Sequence, residues 1–491
     1  MTSVAFAIYL LIVGLISWWA FRLTSGSEDY FLGGRTLSPG TAALSAGASD
    51  MSGWLLLGLP GYAFASGLES LWLSGGLCLG LACCWLSMAR RLRLYSELLG
   101  NALTIPSYLQ RRFNDSSASL RLITAFFILL FFLFYVSSGF VAGGKLFATV
   151  FALDYRIGIS LSFIFVVLYT LIGGFLAVSW TDVLQGLLML LALLVAPIMV
   201  MANSGGALAS WQQIAQLNPH LLNPFTNASG EALGLLSILS LCAWGLGYFG
   251  QPHILARFMA IKHPSEVGKA SGIAIVWSVI VNICAISVGL LAVVLLSSEG
   301  ITLADKEQVF MVLANTVFHP VIASILMAAI LAAIMSTADS QLLVCSSAIA
   351  EDLLGFWNKK LASTRPLCLG RFGVLSIGAL AWFIARDPES QVLDIVSYAW
   401  AGLGAAFGPV ILFSLYLQNM SRLSAFIGIA SGGISVIIWQ QLSGGLFDVY
   451  ELLPGALISS AAILITNKLV KLDDALVVKQ FDTFNNLLKK T

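Results

Sequence analysis

Apolar stretches of membrane-spanning length recur along the chain, near residues 4–22, 40–66, 70–89, 118–148, 157–178, 182–203, 234–256, 268–297, 319–350, 370–386, 392–417, 423–441 and 450–467. A hydrocarbon layer ~30 Å thick takes about 20 apolar residues as one helix, so these runs predict thirteen spans. The runs at 118–148 and 319–350 extend beyond the hydrocarbon. The connections between runs leave no room for a separate soluble domain.

Two runs are broken by residues that a smooth helix rejects. In the second, Ser45-Ala46-Gly47-Ala48-Ser49-Asp50-Met51-Ser52-Gly53-Trp54 sets a carboxylate and three hydroxyls between apolar flanks, with Gly58 and Pro60 following. In the seventh, Trp244-Gly245-Leu246-Gly247-Tyr248-Phe249-Gly250-Gln251-Pro252 is dense in helix breakers. Backbone released from helical bonding at membrane depth must line a cavity. The two spans lie an odd number of crossings apart, so repeats starting at each run in opposite directions. Paired interruptions in inverted halves point to a transport site near the bilayer midplane. Gly143-Gly144 and Gly173-Gly174, by contrast, read as close helix packing.

Composition agrees with lipid as the solvent: 58% hydrophobic residues, 10% charged residues and a mean hydropathy of +0.92. A net charge of +1 and four scattered histidines exclude the basic stripe of a nucleic-acid binder. Assigning spans alternately puts all of the 25 Lys and Arg residues on one side except Lys145, Arg156, Lys306 and Arg386. Basic loops stay in the cytoplasm, which predicts an outside N-terminus and a cytoplasmic tail from about residue 468. Arg22 after the first run, with no basic residue before it, suits a retained span rather than a signal peptide. The seven cysteines lack metal-ligand spacing and read as reduced, packed thiols. No His-rich cluster, nucleophile elbow or phosphate loop suggests an enzyme.

Candidate chemistry concentrates in the broken spans and in Ala333-Ile334-Met335-Ser336-Thr337-Ala338-Asp339-Ser340-Gln341. Sodium takes carbonyl, hydroxyl and carboxylate oxygens, and Ser336 and Thr337 opposite a broken helix supply them. Asp50 and Asp182 are ionisable groups at span depth, which usually mark ion or substrate pathways. For Asp182, at the start of a run, interfacial solvation explains it equally well. Glu69 reads as an outer-interface residue, and Lys145 pairs with an acid or snorkels; neither is assigned a role.

At Ala48 to Trp54, Gly173 to Asp182, Trp244 to Arg257 and Met335-Ser336-Thr337, the chain resembles the sodium/solute symporter family, and within it the bacterial branch that moves proline. The likeness runs from about residue 4 to about 467 and takes in Tyr30 to Arg35, Gln341 to Asp352 and Val396 to Gly402. It does not extend to the tail or to the loop near 204–230. Tyr30 to Arg35 and Ser336-Thr337 mark the wider family, which also moves sugars, vitamins and sialic acid; Gly247 to His253 marks the proline branch.

The resemblance implies an all-α, LeuT-like five-plus-five inverted repeat within residues 1–467. One span precedes the first repeat (about 40–203), the second repeat covers about 234–417, and two spans follow at about 423–467. It implies a sodium site from the carbonyls of Ala48, Met51 and Ala333 and the hydroxyls of Ser336 and Thr337, with Asp50 coupling the ion to transport. Substrate is expected near Ser52, Gly53, Tyr135, Trp244, Tyr248, Pro252 and Ser340, of which Ser340 varies most in the branch. Asp182 and Asp339 are candidates for a second ion site, as in relatives that carry two sodium ions, although proline-branch members are expected to use one. Arg35 is a candidate for inner gating, with a positive-inside marker as the simpler account. The implied activity is sodium-coupled import of L-proline across the bacterial inner membrane, with sodium as co-transported ion, lipid as surroundings, and neither organic cofactor nor obligate protein partner. Another small solute carried by the same machine is the nearest alternative, and a passive channel or sensor a remote one. An aromatic wall of Tyr135, Trp244 and Tyr248 suits a pyrrolidine ring, and broken-helix amides suit its carboxylate.

Overall fold

The computed structural model describes residues 1–23, 27–354, 366–470 and 474–490. Lys359, Lys360, Arg365 and Lys471, assigned above to the cytoplasmic side, lie outside the described residues. Within them the regular elements are helices, joined by turns and irregular segments, and the β pairing is limited to two isolated bridges, Leu37 with Ile261 and Thr226 with Ala232. The principal helices are α1 (Thr2–Leu23), α2 (Pro39–Asp50), α3 (Leu59–Ser66), α4 (Ser70–Cys84), α5 (Ser119–Phe151), α6 (Tyr155–Asn203), α7 (Leu235–Ala243), α8 (Pro252–Ala260) and α9 (Val267–Ser298). They continue as α10 (Pro320–Ser347), α11 (Pro366–Ile384), α12 (Val392–Tyr416), α13 (Arg422–Trp439), α14 (Leu452–Leu469) and α15 (Ala475–Lys490).

Among the described residues, ten helices are long and apolar enough to cross a membrane. The number is below the thirteen runs partly because Trp54–Leu98 and Tyr155–Asn203 each count once, although the backbone leaves the helical region inside them at Gly67 (φ 66°, ψ −141°) and at Gly174. The seventh run appears as the shorter apolar stretch Leu235–Gly250. Burial sorts these helices into a centre and a rim. The most apolar windows around α10, α12 and α5 are 83, 78 and 72% buried, whereas those of α1 and α14 are 28% buried. α1 turns Leu11, Leu15 and Trp19 outward, the all-round apolar surface that lipid selects.

α6 changes direction at Gly174, whose φ of 68° and ψ of −178° lie in a region open essentially to glycine alone. A Cβ there would also stand 2.8 Å from the ring of Tyr30. Packing accounts for Gly143-Gly144, where added Cβ atoms would strike Ser162 and Tyr155. At Gly174 backbone conformation adds a second demand, and the break falls inside the run read as 157–178.

Charges at the helix ends are tied together. Lys145 on α5 pairs with Asp305 (2.8 Å) and Glu307 (2.7 Å), so it is bonded rather than snorkelling. Glu307 also accepts the first amides of α12, Val392 N and Leu393 N, each at 3.0 Å. The tail, expected as a cytoplasmic appendage, carries α15, which buries Val477, Phe481 and Phe484. Phe484 stacks on Tyr95 with centroids 4.3 Å apart, and the buried Arg112 guanidinium lies 5.0 Å from the Phe481 ring.

The glycine-only bend makes a direct prediction. Gly174→Ala costs about 1–3 kcal/mol from the glycine-only backbone alone, before the Tyr30 clash is added. It should lower the thermal midpoint of the detergent-purified protein by several degrees. Gly14→Ala, inside α1 where an added Cβ meets nothing within 4 Å, should leave the midpoint unchanged or slightly raised.

Candidate cation and solute site

α2 is well started and abruptly stopped. Ser38 caps it by accepting from Thr41 N at 3.2 Å, and Pro39 opens it where no amide is needed. It ends at Asp50; Met51 has φ −87° and ψ 77°, and helix resumes only at Trp54 with one wide turn leading into α3. Carbonyls near this end look for other donors, and α10 supplies them. Ser336 Oγ donates to Ala48 O at 2.8 Å and lies 3.1 Å from Ala333 O, while Thr337 Oγ1 donates to Ala48 O at 3.4 Å. Four oxygens therefore converge in a dry place: two carbonyls and two hydroxyls, all on buried residues. A hydroxyl that donates to a carbonyl keeps its lone pairs for a hard cation, which fits this cluster to sodium. Met51, also buried, sits in the break itself.

The second interruption faces the first. α7 tightens into a 3-10 turn over Trp244–Gly250, Gln251 is extended (φ −83°, ψ 107°), and Pro252 starts α8. α12 anchors this irregular backbone: Trp400 Nε1 donates to Trp244 O at 2.7 Å, and Gln251 Nε2 donates to Trp400 O at 3.2 Å. Gly247 lies so close to the Trp400 indole that no Cβ would fit. One contact joins the two breaks directly, Tyr248 Oη donating to Asp50 Oδ2 at 2.6 Å. The Asp50 carbonyl in turn accepts from Trp54 Nε1 at 3.1 Å and Tyr135 Oη at 3.3 Å. Tyr248 and Trp400 meet edge to face (5.0 Å, 87°), and Tyr135 approaches both Trp400 and the buried His253.

The candidate residues thus divide into groups. Tyr135, Tyr248 and Asp50 gather around the first break, with Ser52 and Gly53 in the break itself. The Cα of Gly53 packs so tightly on Ala142 that a Cβ would stand 2.8 Å away. Trp244 contributes its carbonyl inward while its ring stacks on Tyr450 (5.0 Å, 18°). Ser340 lies in a separate polar cluster, accepting from Arg257 at 2.6 Å. Arg257 also bonds Asp182 (3.1 Å), Ser45 Oγ (3.1 Å) and the His253 carbonyl (2.9 Å), and Ser45 donates to Asp182 at 2.6 Å. Asp339 is buried beside them with neither carboxyl oxygen in hydrogen-bonding geometry. Pro252, Arg257 and Ser340 line a narrow cavity together with Phe31, Phe175 and Asp352. Arg35 ties the segment before α2 to Ser96 Oγ, the Ala102 carbonyl (3.1 Å) and the Met259 carbonyl at the end of α8.

Three residues escaped the sequence reading. Arg257 was assigned to the cytoplasmic surface, yet it is fully buried and paired. Trp400 and His253 sat in the motif runs without a role. A lone Arg inside Pro252–Ala260 is the signal that could have marked the first; aromatic residues in an apolar run offer none.

The sequence profile described as the sodium:solute symporter family matches residues 30–432. The chain belongs to that family. It is 45% identical over 478 residues to the high-affinity proline transporter PutP of Bacillus subtilis (strain 168), covering 97% of this chain and 100% of the relative. It is 44% identical over 483 residues to the sodium/proline symporter of Escherichia coli (strain K12), covering 97% and 95%. Among solved structures, a Na+-coupled sialic acid symporter in a substrate-bound outward-open state matches with TM-score 0.80 at 17% identity, over 96% of this chain and 98% of that one. Mhp1, a nucleobase-cation-symport-1 family transporter, matches with TM-score 0.56 at 11% identity, over 93% and 99%. At such identities the structures establish a shared fold.

Trp400 should behave as part of this family member's site. Trp400→Phe keeps the ring but removes the donor to Trp244 O, a loss of about 1–1.5 kcal/mol, equivalent to about tenfold. Sodium-dependent solute uptake should show its half-saturating solute concentration rising by about that factor. An unchanged value would remove the indole bond from the site.

Proposed function

We propose that this chain is a sodium-coupled symporter that imports L-proline by alternating access. The observation that carries the reading is the Tyr248 to Asp50 bond, which joins the two interrupted helices beside the Ala48, Ala333, Ser336 and Thr337 oxygens. Sodium held there orders the end of α2, and the order passes through Asp50 to Tyr248 on the solute side. Coupling of this kind is reciprocal and typically amounts to about 1–3 kcal/mol. Inward sodium movement adds ~2.3 kcal/mol per charge for each 100 mV.

In this reading sodium is bound by Ala48, Met51, Ala333, Ser336 and Thr337. Proline sits against Tyr135, Tyr248 and Pro252, with the unwound backbone at Ser52 and Gly53 near its carboxylate. Similarity to proline transporters favours proline over another cargo. The membrane domain has thirteen spans, a five-plus-five inverted repeat with one span before it and two after. That count takes α2 with α3, and α7 with α8, as single interrupted spans and the two arms of α6 as separate ones. The N-terminus faces outward, and α15 lies on the cytoplasmic side of a bacterial inner membrane. Arg35, bonded to residues of both halves, serves the inner gate.

Labelled proline uptake into proteoliposomes under an imposed sodium gradient tests cargo and ion together. The wild type should accumulate proline uphill, and replacing the gradient with potassium should abolish it. Asp50→Asn should lower sodium-stimulated uptake by at least about tenfold, from the loss of a charged hydrogen-bond acceptor worth ~1.5–3 kcal/mol, with protein still present in the membrane. Undiminished uptake with unchanged sodium affinity would take Asp50 out of the mechanism.

A further inference from the structure

Arg257 is a cation already resident in the binding region. Its guanidinium meets four oxygens: the Ser45 and Ser340 hydroxyls, the Asp182 carboxylate and the His253 carbonyl, at 2.6–3.1 Å. Two hydroxyls, a carboxylate and a carbonyl are the donor set a sodium ion would choose. The ring of Phe175 lies 5.0 Å from the guanidinium carbon. These oxygens come from α2, α6, α8 and α10, the same helices that meet around the two breaks.

Two cation positions therefore succeed each other along the seam between α2 and α10. The first uses Ala48 with Ser336 and Thr337; the second uses Ser45 with Ser340, about one helical turn along each partner. The first is open to a mobile ion, while the second is filled by a side chain that cannot leave. Stability is a poor reason to retain such a pair, because desolvating two charges costs about as much as their attraction returns.

Resting on the sodium-coupled reading above, we infer that Arg257 is a tethered substitute for a second sodium ion, neutralising Asp182 and thereby fixing transport at one sodium per solute. Arg257 acts as a positioning and stoichiometry-setting residue. Asp182, expected as a candidate for a second ion site, is then not available to a mobile cation while the guanidinium is in place.

The test compares wild type, Arg257→Lys, Arg257→Gln and the neutral pair Arg257→Gln with Asp182→Asn, all reconstituted in proteoliposomes. The readouts are the sodium dependence of proline uptake and the charge moved per proline. Wild type and Arg257→Lys should show a sodium Hill coefficient and a charge ratio of about one. Arg257→Gln should need at least about tenfold more sodium, with both values rising toward about two, because a second ion must now fill the Asp182 position. The neutral pair should return both values to about one. Three results overturn the inference: a wild type that moves two charges, an Arg257→Gln variant with wild-type sodium dependence and charge ratio, or a neutral pair that does not return to one-ion coupling. Failure of both Arg257→Gln and the neutral pair to reach the membrane folded assigns the ion pair to folding and also overturns it. Absence of sodium-driven proline uptake by the wild type would instead overturn the functional reading itself.

Discussion

A backbone that stops being helical inside a membrane has polar groups that lipid cannot satisfy. At the end of α2 that debt falls on the Ala48 carbonyl, and Ser336 and Thr337 of α10 answer it. Most of the arrangement follows from this. α10 has to lie at the centre of the bundle, where its most apolar window is 83% buried. α5 and α12 pack round it, and the break in α7 and α8 is brought within reach of Asp50. The same oxygens that satisfy one another without an ion can turn to one when it arrives, so local backbone economy and ion binding share one set of atoms.

The second break is held by different means. Among the described residues no hydroxyl pair donates to its carbonyls; instead α12 offers the Trp400 indole to Trp244 and its own carbonyl to Gln251. One break is thus backed by small hydroxyls suited to a cation and the other by a broad aromatic face suited to an apolar ring. Tyr248 and Asp50 link the two. A change in order on one side has a short, strongly polar path to the other.

The spans and both interruptions were legible in sequence because each has a direct physical signature: apolar length for the spans, and clustered Gly, Pro, Ser and Asp for the breaks. The Ser336-Thr337 pair was legible because hydroxyls following a long apolar run stand out. Where the backbone breaks inside Trp54–Leu98 and Tyr155–Asn203 was not legible: Gly67 drew no reading, and Gly174 reads as a packing glycine unless its backbone angles are known. Arg257 was hidden by position, since a basic residue at the end of an apolar run normally faces the cytoplasm, and only the fold reveals Asp182, Ser45 and Ser340 around it. Docking of α15 was not read from the sequence, because Tyr95, the aromatic partner of Phe481 and Phe484, lies far away in the chain.

Direct sodium binding to the purified protein, without a solute or a gradient, separates the cation cluster from every later step of transport. Radioactive sodium binding to wild type should be saturable. Ser336→Ala and Thr337→Ala should each weaken it by about tenfold or more, the loss of one oxygen ligand in a dry site being worth ~1–3 kcal/mol. Sodium bound with wild-type affinity in both variants would contradict the account.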